Sequence, residues 1–589
     1  MNLPFITYKN FMIKHHGYPL YRIPIDFNFG CPNRELDGSG GCTFCNIRGS
    51  AAVQTIGAEN VKEQMEIAIK FAKKRYNAKK FMAYVQAYSA TFGESQQNLY
   101  LDLINEFSFS AVSIGTRPDC ITPQAIKFLS KLNKKIEVWV ELGVQTIHDK
   151  TLNRINRGHN WQSSLNAIKS LNENNIPIAL HAIIGLPGEK KEHYINTARA
   201  FSSLPIQAVK IHNLHIEKGT TLALEHSISP INVLNEHEYA ECVIDFIRRM
   251  PPELPIMRFT TDTQENELIA PKWNMDKQKF KNYLINQMVY NEYQQGDLFN
   301  EANIKVKPKD IDLKKIKTND NSYTFWNSEY KEHYHSTRGA NLEAKNKYVL
   351  TSKLDSFDCK NQIRVLDICF GIGYNSLCTI NEIIKNKQTV SITGLEIDKR
   401  ILRHASELKF NNNRNLFNWN KTLKNLYEKK IDRLNDNVEI SILLGDARQS
   451  IKKLFNKKYD LIFLDPFSSQ KNSELWTLDF FKLVKRVMHN NSKLITYSSS
   501  GPVRSGMISA GLNIGKILNN SNLKEGTIAC INPKYIDFPL TTGEIDKIFL
   551  STKKIPYRDP LLIRTNKEIL RAREKELVKL KHNKKIFTS

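Results

Sequence analysis

Long apolar runs are missing from this chain of 589 residues. Nowhere do about 18 apolar residues follow one another, which is the length that a membrane-spanning helix needs. The opening MNLPFITYKN also lacks the apolar stretch of a signal peptide. From these two features we expect a cytoplasmic protein with no membrane partner.

Cysteine and acidic residues are both scarce. Nine cysteines are too few for a secreted disulfide framework, and three of them, Cys31, Cys42 and Cys45, lie within one short stretch. The 60 acidic residues are outnumbered by 85 Lys and Arg, and residues 311–589 hold 49 of these cations against 29 acids. Such an excess is typical of proteins that bind polyanions, although a Lys- and Asn-rich composition bias explains it equally well.

The chain has 41% hydrophobic residues, which is enough to build cores and excludes a disordered protein. Up to residue 270, short β-branched runs alternate with amphipathic stretches, a pattern typical of βα units around a parallel sheet. The pattern predicts an α/β protein whose first half is a partial (βα) barrel, with ligands at the carboxyl ends of the strands. The expected strands cover residues 21–27, 81–87, 111–114, 136–142, 178–184 and 208–214.

Residues 296–320 are polar and charged with little periodicity, so they predict a linker after a first domain at residues 1–295. A second α/β domain is expected at residues 321–555. Its predicted strands are residues 364–368, 391–396, 439–444, 461–464 and 493–497. Residues 556–589 include NKEILRAREKELVKLKHNKK, which predicts a basic helix that is docked or solvated; a dedicated RNA-binding arm is the alternative.

The loop after the first predicted strand reads FNFGCPNRELDGSGGCTFCNIRGS. Three thiolates without a nearby fourth, and without His at zinc-finger spacing, indicate a metal centre with one open coordination position. A 4Fe-4S cluster held by Cys31, Cys42 and Cys45 would leave one iron free to chelate S-adenosylmethionine (SAM), which electron transfer then cleaves to a radical. A zinc knuckle or unrelated buried thiols are the alternatives.

Several longer motifs follow in order: SIGTRPDCI, VELGVQTIHDKTLNRINRGH, HAIIGLPGE, KIHNLHIEKGTTLA and ENELIAPKW. With the cysteine loop they resemble the radical SAM family of YhcC and YtqA (MnmL). The resemblance implies that Glu141 and Gln145 contact the ribose and methionine moiety of SAM, with Arg117 and Glu189 on the same rim. It also implies an electron donor such as flavodoxin or ferredoxin.

The second half contains VLDICFGIGYN, a hydrophobic strand that opens into a Gly-x-Gly turn. An acid ends the next strand (GLEID), and Gly-Asp-Ala and Asp-Pro-Phe end two later ones. This order is typical of a class I (Rossmann-like) SAM-dependent methyltransferase, whereas a NAD-binding domain would explain only the first two motifs. The residues predicted to bind SAM are Asp367, Gly371, Gly373, Glu396, Asp446, Ala447 and Asp465.

Asp465, followed by Pro and Phe, favours an amine as the methyl acceptor, because a carboxylate can orient the amine lone pair toward the methyl group. The segments YTFWNSEYKEHYHSTRGANLEAKNKYVL, FLDPFSSQKNSELWTLDFFKLV and LITYSSSGPVRSGMISAGL resemble the methyltransferase domain of MnmC and MnmD. That family methylates 5-aminomethyluridine at the tRNA wobble position. The resemblance implies that Asp465 is catalytic and that Tyr334, Trp476 and Arg504 line the nucleotide side; for Trp476 a core-packing role is equally open.

Together the two resemblances predict a bifunctional enzyme that acts on the wobble uridine of the tRNA anticodon loop. The radical SAM domain would convert 5-carboxymethylaminomethyluridine, with or without 2-thiolation, to the 5-aminomethyl form. The second domain would then methylate the amine to 5-methylaminomethyluridine. Two alternatives stay open: the radical domain acts on another substrate, or the second domain is a non-catalytic tRNA-docking module.

Overall fold

A computed structural model describes residues 3–27, 29–35, 39–46, 58, 60–86, 90–261, 263–299, 313–357, 362–410, 417–518 and 524–586. The chain divides into two units, the first made of Met1–Val289 and Tyr293–Lys307, the second of Tyr290–Glu292 and Pro308–Ser589. Within the described residues, none of the helices is long and apolar enough to cross a membrane.

The first unit is built on six parallel strands that lie side by side in chain order. Most residues of these strands are apolar and buried, as expected for a parallel sheet that is covered on both faces. A short antiparallel pair, β7 and β8, follows them. The strands are β1 Tyr21–Ile25, β2 Phe81–Val85, β3 Ala111–Thr116, β4 Glu137–Gln145, β5 Ile178–Ile184, β6 Ala208–Asn213, β7 Ile216–Glu217 and β8 Leu268–Ala270.

Helices connect these strands, and several begin at a side chain that caps the first turn. Thr122, for example, accepts a hydrogen bond from the backbone N–H of Ala125, and Pro123 occupies the first helical position. The helices of the first unit are α1 Tyr8–His16, α2 Val61–Tyr76, α3 Glu94–Glu106, α4 Pro123–Asn133, α5 Asp149–Arg154, α6 Trp161–Glu173, α7 Lys191–Ser202, α8 Thr221–Ile228, α9 Glu236–Ile247 and α10 Lys277–Tyr290.

The second unit contains an eight-stranded sheet with the order β14-β15-β13-β12-β16-β17-β19-β18, whose central strands are parallel. The strands at its two edges pair antiparallel, and β9 to β11 form a separate three-stranded sheet. The strands are β9 Leu313–Lys317, β10 Tyr323–Asn327, β11 Glu332–His333, β12 Ile363–Ile368, β13 Val390–Glu396, β14 Ile431–Asn435, β15 Val438–Leu444, β16 Tyr459–Leu464, β17 Met488–Thr496, β18 Asn513–Leu518 and β19 Lys524–Cys530.

Helices of the second unit pack on both faces of this sheet in two apolar clusters. The last helix, α20, is anchored at its start, where Ile569 is fully buried and the guanidinium of Arg573 lies 5.2 Å from the centre of the Tyr557 ring. The helices are α11 Ala340–Glu343, α12 Leu350–Ser352, α13 Tyr374–Lys385, α14 Lys399–Ser406, α15 Trp419–Lys429, α16 Ala447–Ser450, α17 Leu478–Arg486, α18 Gly501–Ser509, α19 Thr542–Phe549 and α20 Asn566–Ile586.

The predicted fold class is confirmed: a partial parallel barrel precedes a second α/β domain with a mixed sheet. The predicted basic C-terminal helix is present as α20 and is docked at its start through Ile569, while the RNA-binding arm stays an untested alternative. The predicted linker needs correction, because Leu313–Lys317 forms β9 and pairs with β10; its residues 300–312 lie outside the described part of the chain. LKKIK gives no strand signal, because its two apolar residues, Leu313 and Ile316, are three positions apart and do not alternate with the lysines.

Candidate functional site

The cysteine loop follows β1 and brings three thiols into one electrostatic cluster. Cys42 is buried, and the backbone N–H of Cys45 donates to its carbonyl oxygen over 3.0 Å. Burial raises the pKa of the Cys45 thiol, and the Cys42 and Cys31 thiols add to the rise while Arg34 opposes it. The Nη1 atom of Arg157 donates to Cys42 Sγ over 3.3 Å. Three thiols beside guanidinium groups are a fitting donor set for an anionic iron-sulfur cluster with an open iron.

Arg117, predicted on the rim of this site, has a structural role. Its guanidinium is buried, pairs with both carboxylate oxygens of Asp119, and donates to the carbonyl oxygen of Arg157 over 2.7 Å. It therefore holds in place the residue that contacts Cys42. Glu189, the other predicted rim residue, accepts a hydrogen bond of 2.6 Å from Thr146 Oγ1, and burial raises its pKa.

Gln145 ends β4 with a positive φ of 72°, and its buried Oε1 atom has no hydrogen-bond partner among the residues that the structure describes. A Cβ added to Gly143, two residues earlier, would meet Arg157 Nη2 at 2.6 Å and Gln145 Nε2 at 2.9 Å. Buried amide oxygens in proteins are normally satisfied, so an orphaned one at a strand end indicates a missing polar partner. The surroundings of Gln145 therefore fit a bound SAM.

The structure places Glu141 differently from the expected ribose contact. The carboxylate is fully buried inside the barrel, where Oε1 contacts Arg22 and Ser113, and Oε2 contacts Tyr84, His181 and Lys210. Burial opposes ionisation, but Arg22, Lys210 and His181 hold the pKa of Glu141 well below its usual range. A ribose hydroxyl could reach either oxygen only by displacing one of these partners.

A cavity of about 430 Å³ opens in the second unit at the carboxyl ends of β12, β13 and β16. Glu396 lies on its wall and accepts hydrogen bonds from the backbone N–H groups of Gly371, Ile397 and Asp398 over 2.8 to 2.9 Å. Burial raises the pKa of Glu396 to about 7, although these hydrogen bonds oppose the rise. An acid next to a tight glycine turn is suited to binding a ribose diol.

Backbone conformation and close packing explain why the second glycine of the turn, Gly373, is required. Its φ is 84°, and an added Cβ would lie 2.8 Å from ring atoms of both Phe370 and Trp419. Only glycine tolerates both the backbone conformation and this contact. Gly371, with a φ of 54°, faces the cavity, whereas Gly373 is not among its lining residues.

Three other residues that the sequence predicts to bind SAM are also not among the residues that line the cavity. Asp367 is fully buried, accepts a hydrogen bond of 2.6 Å from Ser376 Oγ, and has its pKa raised to about 8 by burial. Asp446 pairs through both oxygens with Arg448, while Ala447 is buried in the helix that begins there. Their SAM contacts stay predictions.

Asp465 follows β16 and reaches the cavity. Its Oδ2 atom accepts a hydrogen bond of 3.0 Å from Asn375 Nδ2 and lies 3.8 Å from Nδ1 of His335. Burial raises the pKa of Asp465, with His335 opposing the shift and Glu343 adding to it. His335, Glu343 and Asn375 were missed from the sequence; the first two lie in the HYHSTRGANLE part of a motif already quoted, but nothing marks them individually.

An aromatic cluster also lines this cavity. The rings of Tyr330 and Phe467 stack with centroids 4.5 Å apart, and Tyr334 packs edge-on against Phe467 at 5.1 Å. Trp476 is not part of this cluster: it is fully buried in the core, and its Nε1 donates to the Phe467 carbonyl oxygen over 2.8 Å. Arg504 is also structural, since it donates to Thr527 Oγ1 and the Gly526 carbonyl oxygen.

Comparisons with known families agree with these two sites. Residues 26–201 match the radical SAM superfamily, residues 206–290 match the radical SAM C-terminal domain, and residues 407–532 match the S-adenosyl-L-methionine-dependent methyltransferase family. The chain is thus an enzyme that uses a 4Fe-4S cluster and SAM in its first half and SAM in its second. Cys31, Cys42 and Cys45 are the thiols whose surroundings fit that cluster.

Among individual proteins, YtqA of Bacillus subtilis is 31% identical over 267 residues, which are 45% of this chain and 83% of YtqA. The tRNA 5-methylaminomethyl-2-thiouridine biosynthesis bifunctional protein MnmC of Campylobacter concisus is 29% identical over 34% of this chain and 32% of its own length. The crystal structure of MnmC2 from Aquifex aeolicus is 27% identical and covers 52% of this chain and 93% of its own, with a TM-score of 0.40. The chain therefore belongs to the radical SAM family of YtqA and YhcC through its first half, and joins to it an MnmC-like methyltransferase domain.

Proposed function

We propose that the chain carries out two successive reactions on one wobble uridine of tRNA. Residues 1–295 convert 5-carboxymethylaminomethyluridine, with or without 2-thiolation, into 5-aminomethyluridine. The domain at residues 321–555 then methylates the new primary amine. The name of the MnmC relative supports tRNA as the substrate, and the positive charge of residues 311–589 suits a polyanion.

The cavity around Asp465 carries this proposal. An aminomethyl group is an ammonium ion at neutral pH and must lose a proton before its nitrogen can attack a methyl group. The Asp465 carboxylate can accept a hydrogen bond from that nitrogen, and His335 lies 3.8 Å away to receive a proton. The negative charge of the carboxylate therefore favours binding of the ammonium form. After the proton is lost, the carboxylate orients the lone pair of the neutral amine.

The aromatic cluster supplies a place for the base. Tyr330, Tyr334 and Phe467 offer ring faces and edges next to the acid, and flipped bases stack on such side chains. Glu332, which accepts a hydrogen bond of 2.8 Å from the backbone N–H of Ser468, fixes the loop that carries Phe467. Recognition of a planar nucleobase and catalysis on its amine thus share one cavity.

In the first unit, Cys31, Cys42 and Cys45 would hold the cluster, and Gln145 would bind SAM. The cluster and SAM, once bound and reduced by a donor such as flavodoxin or ferredoxin, supply a radical that removes a hydrogen atom from carbon. Arg157 neutralises charge at Cys42 and anchors the strand end through the Gly143 carbonyl oxygen. In the overall reaction SAM would be the two-electron oxidant and would leave as methionine and 5'-deoxyadenosine, while the glycine-derived methylene loses two electrons and water releases the primary amine and glyoxylate.

The test is nucleoside mass spectrometry on tRNA that carries 5-carboxymethylaminomethyluridine. The tRNA is incubated anaerobically with the reconstituted full chain, SAM and a reductant. The wild-type chain should form 5-methylaminomethyluridine and glyoxylate. Asp465→Ala should stop at the aminomethyl nucleoside, and Cys45→Ala should leave the starting nucleoside unchanged.

Cys120→Ala is the matched control, because Cys120 is a partly buried thiol outside the cysteine loop. It should behave like the wild type. If every sample retains the starting nucleoside while aminomethyl-tRNA is methylated, the radical domain has another substrate. If SAM fails to bind the second unit at all, that unit is a docking module.

A further inference from the structure

A belt of polar side chains crosses the interior of the first barrel, and it has no assigned role. Each of the six strands β1 to β6 contributes one residue, and Glu141 contacts the other five. We call this belt the polar layer. Its members are Arg22, Tyr84, Ser113, Glu141, His181 and Lys210.

The polar layer has more positive than negative charge. Arg22 and Lys210 both contact Glu141, at 2.8 and 3.0 Å, and Glu141 is the one carboxylate that bonds within the layer among the described residues. The charge of Glu141 favours a proton on Lys210, and the charges of Arg258 and Arg22 disfavour it. Burial is the main cause that lowers the pKa of Lys210 to about 7.

Two histidines extend the layer beside Lys210. The rings of His181 and His212 lie 5.4 Å apart on neighbouring strands, and His181 Nε2 is 2.9 Å from Glu141. Burial, followed by the charge of Lys210, lowers the pKa of His181 to about 4. Buried cations without enough counter-charge are costly, so this arrangement is suited to an anion that arrives from outside the protein.

The layer is closed on the side of the strands' amino ends. Met12, Met82, Ala111, Trp139 and Ala179 form an apolar cluster there. On the other side, the strands β3 and β4 continue with Gly115 and Gly143 toward the cysteine loop. An anion would therefore approach the polar layer from the edge of the sheet that bears the cysteine loop.

Small size is a second requirement on the ligand. Glu141 and Lys210 are fully or almost fully buried, while His181 is 16% and Arg22 23% exposed. A carboxylate is a small organic anion that can accept charge-assisted hydrogen bonds from an ammonium and a guanidinium. A phosphodiester of the RNA backbone is bulkier and belongs on a basic surface.

We propose that the polar layer binds the carboxylate of the substrate's glycine moiety, with Lys210 as its main ion-pair partner and Arg22 and Arg258 as supporting charges. This inference rests on the proposed deglycylation. It identifies what the first unit recognises: the anionic end of the carboxymethylamino group. Holding this carboxylate fixes the adjacent methylene, the carbon from which hydrogen is removed.

The test compares two anticodon stem-loop RNAs that differ in one group. One carries the carboxymethylaminomethyl nucleoside and the other its neutral carboxamide. The full-length wild-type holoenzyme should process the acid far better than the amide, as judged by kcat/KM. Lys210→Met removes the charge and keeps much of the side-chain length, and should lower the preference for the acid by about 10- to 100-fold. Lys210→Arg should restore most of it.

A separate measurement distinguishes the substrate's carboxylate from that of SAM. In the absence of RNA, the slow cleavage of SAM to 5'-deoxyadenosine by the holoenzyme is measured for wild type and Lys210→Met, and the fold-change in this rate should be smaller than the fold-change in the preference for the acid. A loss of this cleavage, with the preference for acid over amide retained, would show that Lys210 serves SAM and would overturn the inference.

Should Lys210→Met fail to fold, Arg258→Gln in the same comparison decides the matter: a reduced preference for the acid supports the inference, and an unchanged preference overturns it. Equal processing of acid and amide by the wild type also overturns it while leaving the deglycylation intact. If neither RNA is processed, the proposed function itself fails, and the inference with it.

Discussion

Nδ1 of His335 lies 3.8 Å from Oδ2 of Asp465 at one wall of the cavity in the second unit. His335 comes from the segment after β11 and Asp465 from the end of β16, so two distant parts of the chain meet at this point. The separation is too long for a direct hydrogen bond. A small group that donates to both atoms, such as an amine, can bridge them.

Replacing Asp465 should separate the two proposed reactions. Asp465→Ala should lower kcat for methylation by about a hundredfold or more, because the lone pair is no longer oriented and the developing charge is unopposed. Asp465→Asn should retain part of the activity, since its amide oxygen still accepts a hydrogen bond. Methyl transfer to aminomethyl-tRNA is followed with labelled SAM.

Asp460→Asn is the control for that series. Asp460 lies on the same strand and accepts a hydrogen bond of 2.8 Å from the backbone N–H of Arg364, and it does not line the cavity. It should leave kcat unchanged. An Asp465→Ala chain as active as Asp460→Asn would remove Asp465 from the mechanism.

SAM binding to the second unit should depend on pH through Glu396, whose pKa is raised to about 7 by burial. The carboxyl group is largely protonated at pH 6 and ionised at pH 8, and only the ionised form accepts hydrogen bonds from both ribose hydroxyls. Binding should therefore release protons and be about tenfold weaker at pH 6 than at pH 8. Calorimetry in buffers of different ionisation enthalpy, on the Cys45→Ala chain, measures both quantities.

Glu396→Gln serves as the comparison for the pH series. It should bind SAM more weakly at pH 8 and lose most of the difference between the two pH values. Burial still raises the pKa values of Asp367 and Asp465 in this variant, so any remaining pH dependence reports these two acids. Identical pH profiles for the two chains would mean that Glu396 does not bind SAM in its ionised form.

The stacked pair of Tyr330 and Phe467 should contribute to tRNA affinity rather than to chemistry. Phe467→Ala should raise KM for aminomethyl-tRNA by about 10- to 100-fold, because base–aromatic stacking contributes about 1–3 kcal/mol per base. The Kd for SAM should stay within about twofold. Tyr330→Phe, which keeps the ring, is the control, and a KM unchanged by Phe467→Ala would place the base elsewhere.

Local periodicity is enough to predict most of the fold. The strand predicted at residues 178–184 is observed as Ile178–Ile184, and the runs at 391–396 and 461–464 differ from the observed strands by only one or two residues. Such strands are buried on both faces, so their sequences are continuous apolar runs. β9 and β14 escape prediction because they lie at sheet edges and are largely polar.

The sites were less predictable than the strands. Motif order points to Asp465 and Glu396, but the partners of each acid depend on tertiary contacts, as with His335, which is 130 residues away from Asp465 in sequence. For Glu141 the sequence points to the right residue but to the wrong contacts. Its place near the start of a long motif predicts a ligand contact, yet the side chain lies inside the barrel, where Arg22 and Lys210 neutralise it.

Arg157 should tune the reduction potential of the cluster held by the cysteine loop. Its Nη1 atom donates to Cys42 Sγ over 3.3 Å, and a positive charge at this distance favours the more negative, reduced cluster. Arg157→Met should therefore lower the midpoint potential, measured by redox titration followed by electron paramagnetic resonance. Arg154→Met, which removes an exposed arginine paired with Glu225, should leave the potential unchanged.

Glu141 should be necessary for the stability of the barrel whatever the polar layer binds. Glu141→Gln leaves the buried Lys210 and the partly buried Arg22 without their counter-charge, and removal of one partner from a buried ion pair typically costs about 3–5 kcal/mol. Hydrogen exchange of the β3 to β5 amides in the full chain should be faster by a factor of about 100 or more. Glu137→Gln, on the same strand and partly exposed, should change exchange by less than about tenfold. Equal protection from hydrogen exchange in the two variants would show that the barrel tolerates the polar layer without Glu141. It would then contradict the premise that the positive charge of the layer needs an anionic partner.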